Sequence, residues 1–253
     1  MPIPGRQIGV TLLRSPLCIL HSAIMSGLLA QAAPAQQPQE TDVQRRERRA
    51  MVELIAARGV RDRATLDALR SVPRHEFVPA QYQDQAYADH PLPIGHGQTI
   101  SQPYIVGYMT EMIRPKPGMK VLEVGTGSGY QAAILAAAGC EAFSIEIFEP
   151  LATSARERLN RLKYAVAVRH GDGHFGWPEE APFDAILVTA AAGFIPPALV
   201  DQLKPGGRML IPVGSVSGVQ HLILVQKNDR GRVSTRSLLP VRFVPLLSGN
   251  RER

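Results

Sequence analysis

The chain has 253 residues, of which 45% are hydrophobic and 20% charged, and its formal net charge is +6. This composition can bury a full core and excludes a disordered or fibrous protein, and the length fits one α/β domain with an N-terminal addition. The positive excess is modest. Its one cluster lies on an early helical stretch, where we expect a solvated helix face rather than a nucleic-acid site: Arg45, Arg46, Arg48, Arg49, Arg58, Arg61 and Arg63.

Residues 1–32 have the layout of a secretory signal peptide. Arg6 and Arg14 precede an apolar run over residues 17–30, and small residues around Ala32 provide a cleavage site. We therefore expect an exported protein, periplasmic in a Gram-negative source, with no stable membrane association after signal removal. The alternative is a misassigned start codon with an extension that is not a working signal, which would leave the protein cytoplasmic.

The folded part is expected to begin at Asp42. Residues 33–41 are rich in alanine, proline and glutamine and are typical of a flexible tether, so residues 42–253 form the predicted domain. Apolar spacing predicts helices over residues 42–59, 64–70 and 104–113, with a loop-rich region over residues 82–102. These helices form an N-terminal addition to whatever sheet follows.

The most informative stretch follows these helices. An apolar run over residues 121–124 ends at alternating glycines, and a helix is predicted over residues 130–138. Alternating glycines allow backbone angles that side chains forbid and let a ligand approach bare backbone. A dinucleotide fingerprint would need a third glycine at position 130, which is Tyr130. The compressed turn, preceded by Glu123, resembles that of Rossmann-like S-adenosylmethionine-dependent methyltransferases: Gly125, Thr126, Gly127, Ser128 and Gly129.

Acidic residues follow the next two predicted strands. Residues 142–146 end in Glu146, and residues 165–169 lead into Gly171, Asp172 and Gly173. Ligands of doubly wound sheets lie at the carboxyl ends of the strands, so we expect Glu146 to bind the ribose hydroxyls and Asp172 to reach the adenine or its surroundings. The alternative for each acid is a solvated strand end. The predicted cofactor-binding residues are Glu123, Gly125, Thr126, Gly127, Gly129, Tyr130, Glu146, Asp172 and Gly173.

The remaining elements complete the predicted sheet. A strand over residues 183–189, a helix over 196–203, a turn over 204–207 and a strand over 208–213 continue the alternation. Residues 219–227 and 233–241 lack an intervening helix and predict an antiparallel hairpin. The expected fold class is therefore α/β, a Rossmann-like doubly wound mixed sheet of about seven strands with a C-terminal antiparallel hairpin and an N-terminal helical addition.

Cysteine and histidine patterns offer no further site. Cys18 lies in the predicted signal, so Cys140 alone would remain in the mature chain, and no internal disulfide is possible there. We expect Cys140 to be a buried structural thiol. Neither CxxC nor HExxH spacing occurs, so no metal site is predicted. Trp177 is expected to pack rather than to stack on a ligand.

A second motif lies before the glycine turn, within residues 92–103. Its two hydroxyls, an amide and two glycines can present hydrogen-bond donors to a carboxylate without supplying a fixed positive charge. Together with Val72-Pro73-Arg74 and the tail over residues 241–246, the motif Gly97-Gln98-Thr99-Ile100-Ser101-Gln102-Pro103 resembles the protein-L-isoaspartate O-methyltransferase family. The resemblance spans about residues 42–249. Residues 162–165 depart from it, because they replace the glycine and asparagine turn that is usual before the third strand.

The resemblance implies transfer of a methyl group from S-adenosylmethionine to the free carboxylate of L-isoaspartyl residues in damaged proteins and peptides. The ester then collapses to a succinimide, whose hydrolysis partly restores aspartate. It assigns Ser101 to catalysis, and the neighbouring Gln98, Thr99 and Ile100 to substrate binding. Isoaspartyl proteins and peptides are the expected partners of a monomer that binds no nucleic acid. An exported member would be atypical of this family.

The chemistry indicates what Ser101 has to do. A carboxylate is already ionised at neutral pH, so no general base is needed and catalysis rests on alignment and removal of water. Ser101 would orient the carboxylate by hydrogen bonding; the alternative is an ordinary loop hydroxyl satisfied by backbone. Rival functions are a nicotinamide-dependent oxidoreductase, disfavoured by Glu123 and Tyr130, a methyltransferase acting on RNA or a small molecule, and a binding protein with a decayed pocket.

Overall fold

The computed structural model describes Met1, residues 40–215 and residues 218–249. Apart from Met1, the predicted signal peptide over residues 1–32 lies outside the described residues, as does the predicted tether up to residue 39. Among the helices of the described part, none has the length and apolar character needed to cross a membrane.

The N-terminal addition is helical, as the sequence predicts. It contains α1 (Asp42–Ala57) and α2 (Arg63–Ser71), followed by short 3-10 turns over Arg74–Phe77 and Ala80–Gln85. The hairpin of β1 (Leu92–Gly95) and β2 (Gln98–Ile100) comes next, within the region predicted as loop, and leads into α3 (Pro103–Ile113). The reversal between the two short strands has positive φ angles at His96 and Gly97, which tighten the turn.

A capping box starts α1 at the predicted domain boundary. The Thr41 side chain accepts a hydrogen bond from the Gln44 backbone, and the Gln44 side chain accepts one from the Thr41 backbone, so two amides at the helix end are satisfied. Glu40 forms an ion pair with Arg48. These contacts therefore tie Glu40 and Thr41, the two residues before Asp42, to α1.

The arginines of the N-terminal helices have two kinds of surroundings. Arg45, Arg46 and Arg49 lie exposed on α1, as predicted for a solvated face. Arg58 instead packs its guanidinium over the Tyr104 ring, with the guanidinium carbon 3.6 Å from the ring centre, and pairs with Asp89. The basic cluster is therefore partly a packing feature between α1 and α3.

The main sheet has the predicted mixed topology. Its elements in chain order are β3 (Lys120–Val124), α4 (Tyr130–Ala137), β4 (Glu141–Glu146), α5 (Glu149–Arg161), β5 (Val166–His170), β6 (Phe183–Val188), α6 (Pro197–Asp201), β7 (Leu203–Gly214), β8 (Gln220–Lys227) and β9 (Val233–Val241). The strand order is β5-β4-β3-β6-β7-β8-β9, parallel through β7 and antiparallel for the last two strands.

Strand β3 sits where the order of the sheet reverses. It pairs with β4 on one side and β6 on the other, and its apolar side chains alternate between two buried faces. Leu122 and Val124 pack with Phe183 in one core, whereas Val121 packs with Met109 of α3 in the other. Because ligands of doubly wound sheets bind at such a reversal, the carboxyl end of β3 is where a site is expected.

Two predicted boundaries near β7 are wrong. The helix predicted over residues 196–203 ends at Asp201, and the turn predicted over residues 204–207 lies inside β7. Leu203 already pairs with Phe183, and the pairing register shifts before Ala185 pairs with Arg208. An irregularity of this kind absorbs extra residues within a strand, and Gly206, with a φ of 78°, supplies the backbone angle it needs.

Two smaller predictions are confirmed. Cys140 is buried, and burial raises the pKa of its thiol to about 11. Trp177 packs edge-on against Phe143, with ring centres 5.6 Å apart. Both side chains therefore belong to the packing of the sheet.

Lys163, in the segment that departs from the family pattern, has a φ of 63°. A left-handed backbone costs an ordinary residue about 1–2 kcal/mol relative to glycine. We expect Lys163→Gly to raise the free energy of unfolding by about 0.5–1 kcal/mol, after the entropy that glycine adds to the unfolded chain. Urea unfolding measures the change, with Lys163→Ala as the control that retains the strain. Equal stability of the two variants would contradict the prediction.

Candidate active site

A cavity opens at the carboxyl ends of β3 and β4, beside the N-terminus of α4. It is lined by residues from the glycine turn, the hairpin, the ends of β4 and β6 and the C-terminal tail. The structure brings together nearly all of the predicted site residues there: Gln98, Thr99, Ile100, Ser101, Glu123, Gly125, Thr126, Gly127, Tyr130, Glu146 and Gly173. Gly129 and Asp172 do not line it.

The glycine turn has the backbone angles that its sequence predicts. Gly125, Gly127 and Gly129 have φ angles of 102°, 53° and 89°. A Cβ on Gly125 would lie 2.5 Å from the Thr189 hydroxyl oxygen, which donates to the Gly125 carbonyl at 2.7 Å. Gly129 precedes α4 and packs against Leu159, so it shapes the turn without touching the cavity. The turn therefore exposes bare backbone to a ligand.

Glu146 holds the turn from the neighbouring strand. Its Oε2 accepts a hydrogen bond from the Gly127 amide at 2.7 Å, and its Oε1 accepts one from the Phe148 amide at 3.0 Å. The residue is buried and lines the cavity. A carboxylate has about four acceptor positions, so two remain for the hydroxyls of a ribose. The residue fits the role that the sequence assigns to it.

Glu123 is buried at the end of β3 and belongs to a chain of polar side chains. The Ser144 hydroxyl donates to its Oε2, and the Thr126 and Ser144 hydroxyls lie 2.6 Å apart. Burial raises the pKa of Glu123 to about 8, and the nearby charge of Glu146 acts in the same direction. The Glu123 side chain is therefore a neutral acid at neutral pH, and it can both donate and accept hydrogen bonds.

Asp172 lies near the cavity, but its carboxylate has other partners. It accepts hydrogen bonds from the His174 amide at 2.9 Å and from the Gly249 amide at 3.0 Å, and it pairs with the His174 ring. Burial alone would raise its pKa, but these hydrogen bonds lower it. The neighbouring Gly173 does line the cavity, where an added Cβ would lie 2.3 Å from Val124. Asp172 thus ties the C-terminal tail to the site.

The tail contributes residues to which sequence reasoning gave no role. Residues 244–247 line the cavity, because Pro245 pairs with Ala191 after β6 and backbone hydrogen bonds flank that pair. Thr189, Ala190, Ile147 and Phe148 also line it. Two features of the sequence point to these lining residues. One is the tail motif over residues 241–246, which is part of the family resemblance, and the other is the rule that residues just past parallel strands meet ligands.

The hairpin forms the boundary between this cavity and a second one. Thr99 and Ser101 line both, as do Thr189 and Val244. The second cavity is lined further by residues around the start of α3, before β8 and around the end of β9, most of them apolar: Pro91, Gln102, Ile105, Val219, Pro240, Val241, Arg242 and Phe243. Within the described part of the chain, the Ser101 hydroxyl has no hydrogen-bond partner, so it is available to a ligand in either cavity.

Other side chains near the site are structural. The His96 ring stacks on Phe148, with ring centres 5.7 Å apart, and so packs the hairpin against the residues after β4. Among the described residues there is no group of three His, Cys, Asp or Glu side chains that could hold a metal ion. The arrangement can therefore bind a nucleoside-like ligand beside a second, carboxylate-bearing one, with hydroxyl and amide groups between them.

The family model described as Protein-L-isoaspartate(D-aspartate) O-methyltransferase (PCMT) matches residues 45–251. The chain belongs to this family. Protein-L-isoaspartate O-methyltransferase 1 of Cupriavidus necator is similar along nearly its whole length, with 50% identity over 97% of each chain. Protein-L-isoaspartate O-methyltransferase 2 of a Polaromonas species is 61% identical over 73% of this chain and 88% of its own.

Solved structures of the PCMT family have the same fold. One protein-L-isoaspartate O-methyltransferase, 30% identical, superposes with a TM-score of 0.71 over 80% of this chain and 66% of its own. A Plasmodium falciparum protein described as a putative member, in complex with S-adenosyl-L-homocysteine, is 27% identical and gives a TM-score of 0.69 over 80% of this chain and 99% of its own. These superpositions confirm the predicted α/β fold class.

The raised pKa of Glu123 predicts a pH-dependent stability. The folded protein keeps the Glu123 proton up to about pH 8, whereas the unfolded chain loses it near pH 4.5. Glu123 should therefore lower the free energy of unfolding by about 1.4 kcal/mol per pH unit as the pH rises between these values. In urea unfolding across this range, Glu123→Gln should lack that component, while the exposed Glu141→Gln should follow the unsubstituted protein. Parallel curves for all three proteins would contradict the assignment.

Proposed function

We propose that methyl transfer from S-adenosylmethionine to the free carboxylate of an L-isoaspartyl residue takes place at the wall shared by the two cavities. The protein is an isoaspartyl protein carboxyl methyltransferase of the PCMT family, which acts in protein repair. Thr99 and Ser101 line both cavities, and this observation supports the proposed location of methyl transfer. Two ligands can therefore meet there.

The first cavity suits the cofactor. Glu146 has acceptor positions for the ribose hydroxyls, and the turn at Gly125 and Gly127 leaves room for the rest of the nucleoside against backbone. Glu123 and Thr126 add polar groups at the end of β3. When bound, S-adenosylmethionine supplies a methyl group activated by its sulfonium. The S-adenosyl-L-homocysteine named with the Plasmodium structure is chemically that cofactor without the methyl.

The second cavity suits a polypeptide, and Ser101 would orient its carboxylate. The isoaspartyl carboxylate is ionised at neutral pH, so this chain need not remove a proton. A hydroxyl donor aligns one carboxylate oxygen while the apolar lining excludes water, and such alignment can supply about 7–11 kcal/mol of the barrier. Thr99 and Gln98 lie on the same hairpin and would support the same carboxylate or its flanking backbone.

We propose that the protein acts as a monomer, and that its partners are isoaspartyl-containing proteins and peptides rather than nucleic acid. Support for a monomer is that the groups assigned to the cofactor and to the carboxylate line adjoining cavities of one chain.

Replacement of Ser101 tests its role. We expect Ser101→Ala to lower kcat for an isoaspartyl peptide by about 10- to 100-fold, because loss of alignment at a reacting centre costs up to about that much. The affinity for S-adenosylhomocysteine, measured by calorimetry, should stay the same, and mass spectrometry should detect no covalent intermediate. The exposed Ser71→Ala is the matched control. An aspartyl peptide and RNA serve as substrate controls, and unchanged turnover of the isoaspartyl peptide would refute the role.

We propose that residues 1–32 direct export to the periplasm. Two arginines before an apolar run and a small-residue cleavage site support this proposal.

N-terminal sequencing of the native protein tests export. A signal peptidase acting at the small residues should leave a mature chain that begins near Ala33, and cell fractionation should recover it with the periplasmic contents. A variant with Arg6 and Arg14 both replaced by glutamate should remain uncleaved in the cytoplasm. An intact Met1, or a start near Val43, would overturn the proposal.

A further inference from the structure

Arg74 is a fully buried arginine that reaches the active-site hairpin. It begins the 3-10 turn after α2 and is 0% exposed. Its Nε donates a hydrogen bond to the carbonyl of Ala86, and its Nη2 donates one to the carbonyl of Ser101, each at 2.8 Å. One planar guanidinium therefore joins the N-terminal addition to the residue at the wall between the two cavities.

Burying this charge is costly, and its surroundings offset the cost only in part. No carboxylate of the described residues forms an ion pair with Arg74, and its Nη1 is buried without a hydrogen-bond partner there. The guanidinium carbon lies 4.8 Å from the centre of the Tyr130 ring. Burial lowers the pKa of Arg74 to about 10, so it stays cationic at neutral pH. An apolar side chain would fill the space without this penalty.

The Arg74 guanidinium fixes the orientation of the backbone groups that it binds. Its donors have a fixed planar geometry, so two hydrogen bonds set the positions of two carbonyls relative to each other. An ammonium on a flexible chain cannot fix both in this way. The carbonyl of Ser101, just after the hairpin, is thereby held by the buried Arg74, and Ser101 also lines both cavities.

Asp89 holds the next residues of the same segment. Its Oδ1 accepts a hydrogen bond from the Tyr104 amide and its Oδ2 accepts one from the Gln102 side chain, both at 2.9 Å. Ser101 is therefore fixed by Arg74 at its own carbonyl and by Asp89 through the residues that follow it. These hydrogen bonds restrain the backbone on which the Ser101 hydroxyl is carried.

We propose that Arg74 is a positioning residue for methyl transfer, which fixes the Ser101 hydroxyl at the wall between the cavities by holding the Ser101 carbonyl. The inference rests on the role proposed above for Ser101. It adds that the rate depends on a side chain that touches neither ligand.

Kinetics of Arg74→Lys and Ser101→Ala, alone and combined, test the inference. We expect Arg74→Lys to lower kcat for an isoaspartyl peptide at least about 10-fold, because displacement by about 1 Å at a reacting centre can cost about 100-fold. Its affinity for S-adenosylhomocysteine should change by less than about threefold, because lysine keeps a cation beside the Tyr130 ring and the bonds that are lost hold only the carbonyls of Ala86 and Ser101. The double variant should be about as slow as Ser101→Ala alone, because both changes act through one hydroxyl.

Two further variants separate a positioning role of Arg74 from a role in stability alone. Arg48 is a matched control, because it is half-buried in the same region and pairs with Glu40 without touching Ser101. Arg48→Lys should leave kcat unchanged. If Arg74→Lys does not fold, as judged by its urea unfolding curve, Arg74→Gln keeps an amide donor without the buried charge, and the same kinetic results are expected.

The outcomes separate the two proposals. Wild-type turnover by Ser101→Ala would refute the role of Ser101 itself. A slow Ser101→Ala beside an Arg74 variant within twofold of wild type would overturn the positioning role alone. Additive losses in the double variant would overturn it as well, because they would show that Arg74 acts independently of the hydroxyl.

Discussion

The site depends on how the glycine turn after β3 is attached to the end of β4. The amides of Gly125 and Thr126 donate to the carbonyl of Ile145, at 2.8 and 3.2 Å, and the Gly127 amide donates to the Glu146 carboxylate. Because β3 and β4 are paired in parallel, these contacts fall at one edge of the sheet. The turn is thus held by contacts within the protein, and α4 leaves it in a fixed direction.

The parts that sequence predicted best are those in which local chemistry dictates structure. Alternating glycines at 125, 127 and 129 have positive φ angles, and the acids Glu123 and Glu146 lie at or beside the ends of apolar runs that form buried strands. The order of helices and strands followed for the same reason. The start of β7 was missed, because Pro205 and Gly206 have turn chemistry while the pairing of Leu203 with Phe183 is a long-range contact.

Long-range contacts also explain what sequence left unassigned at the site. The tail lines the cavity only because Pro245 pairs with Ala191, and Asp172 takes the Gly249 amide as a partner. Neither pairing leaves a local signal. The same holds for Arg74, which stood in a family-like motif without a role, since its bond to Ser101 spans 27 positions of the chain. The order of side chains in a sequence does not show which backbone carbonyl a distant side chain binds.

The two cavities share residues, and this links the two binding equilibria. Thr99, Thr189 and Val244 each face both spaces, so no change in their size can be confined to one ligand. Enlarging the nucleoside side to admit a bulkier cofactor analogue would reshape the groove for the peptide at the same time. An engineered variant with altered cofactor choice would therefore also carry altered peptide selectivity, and both properties would have to be selected together.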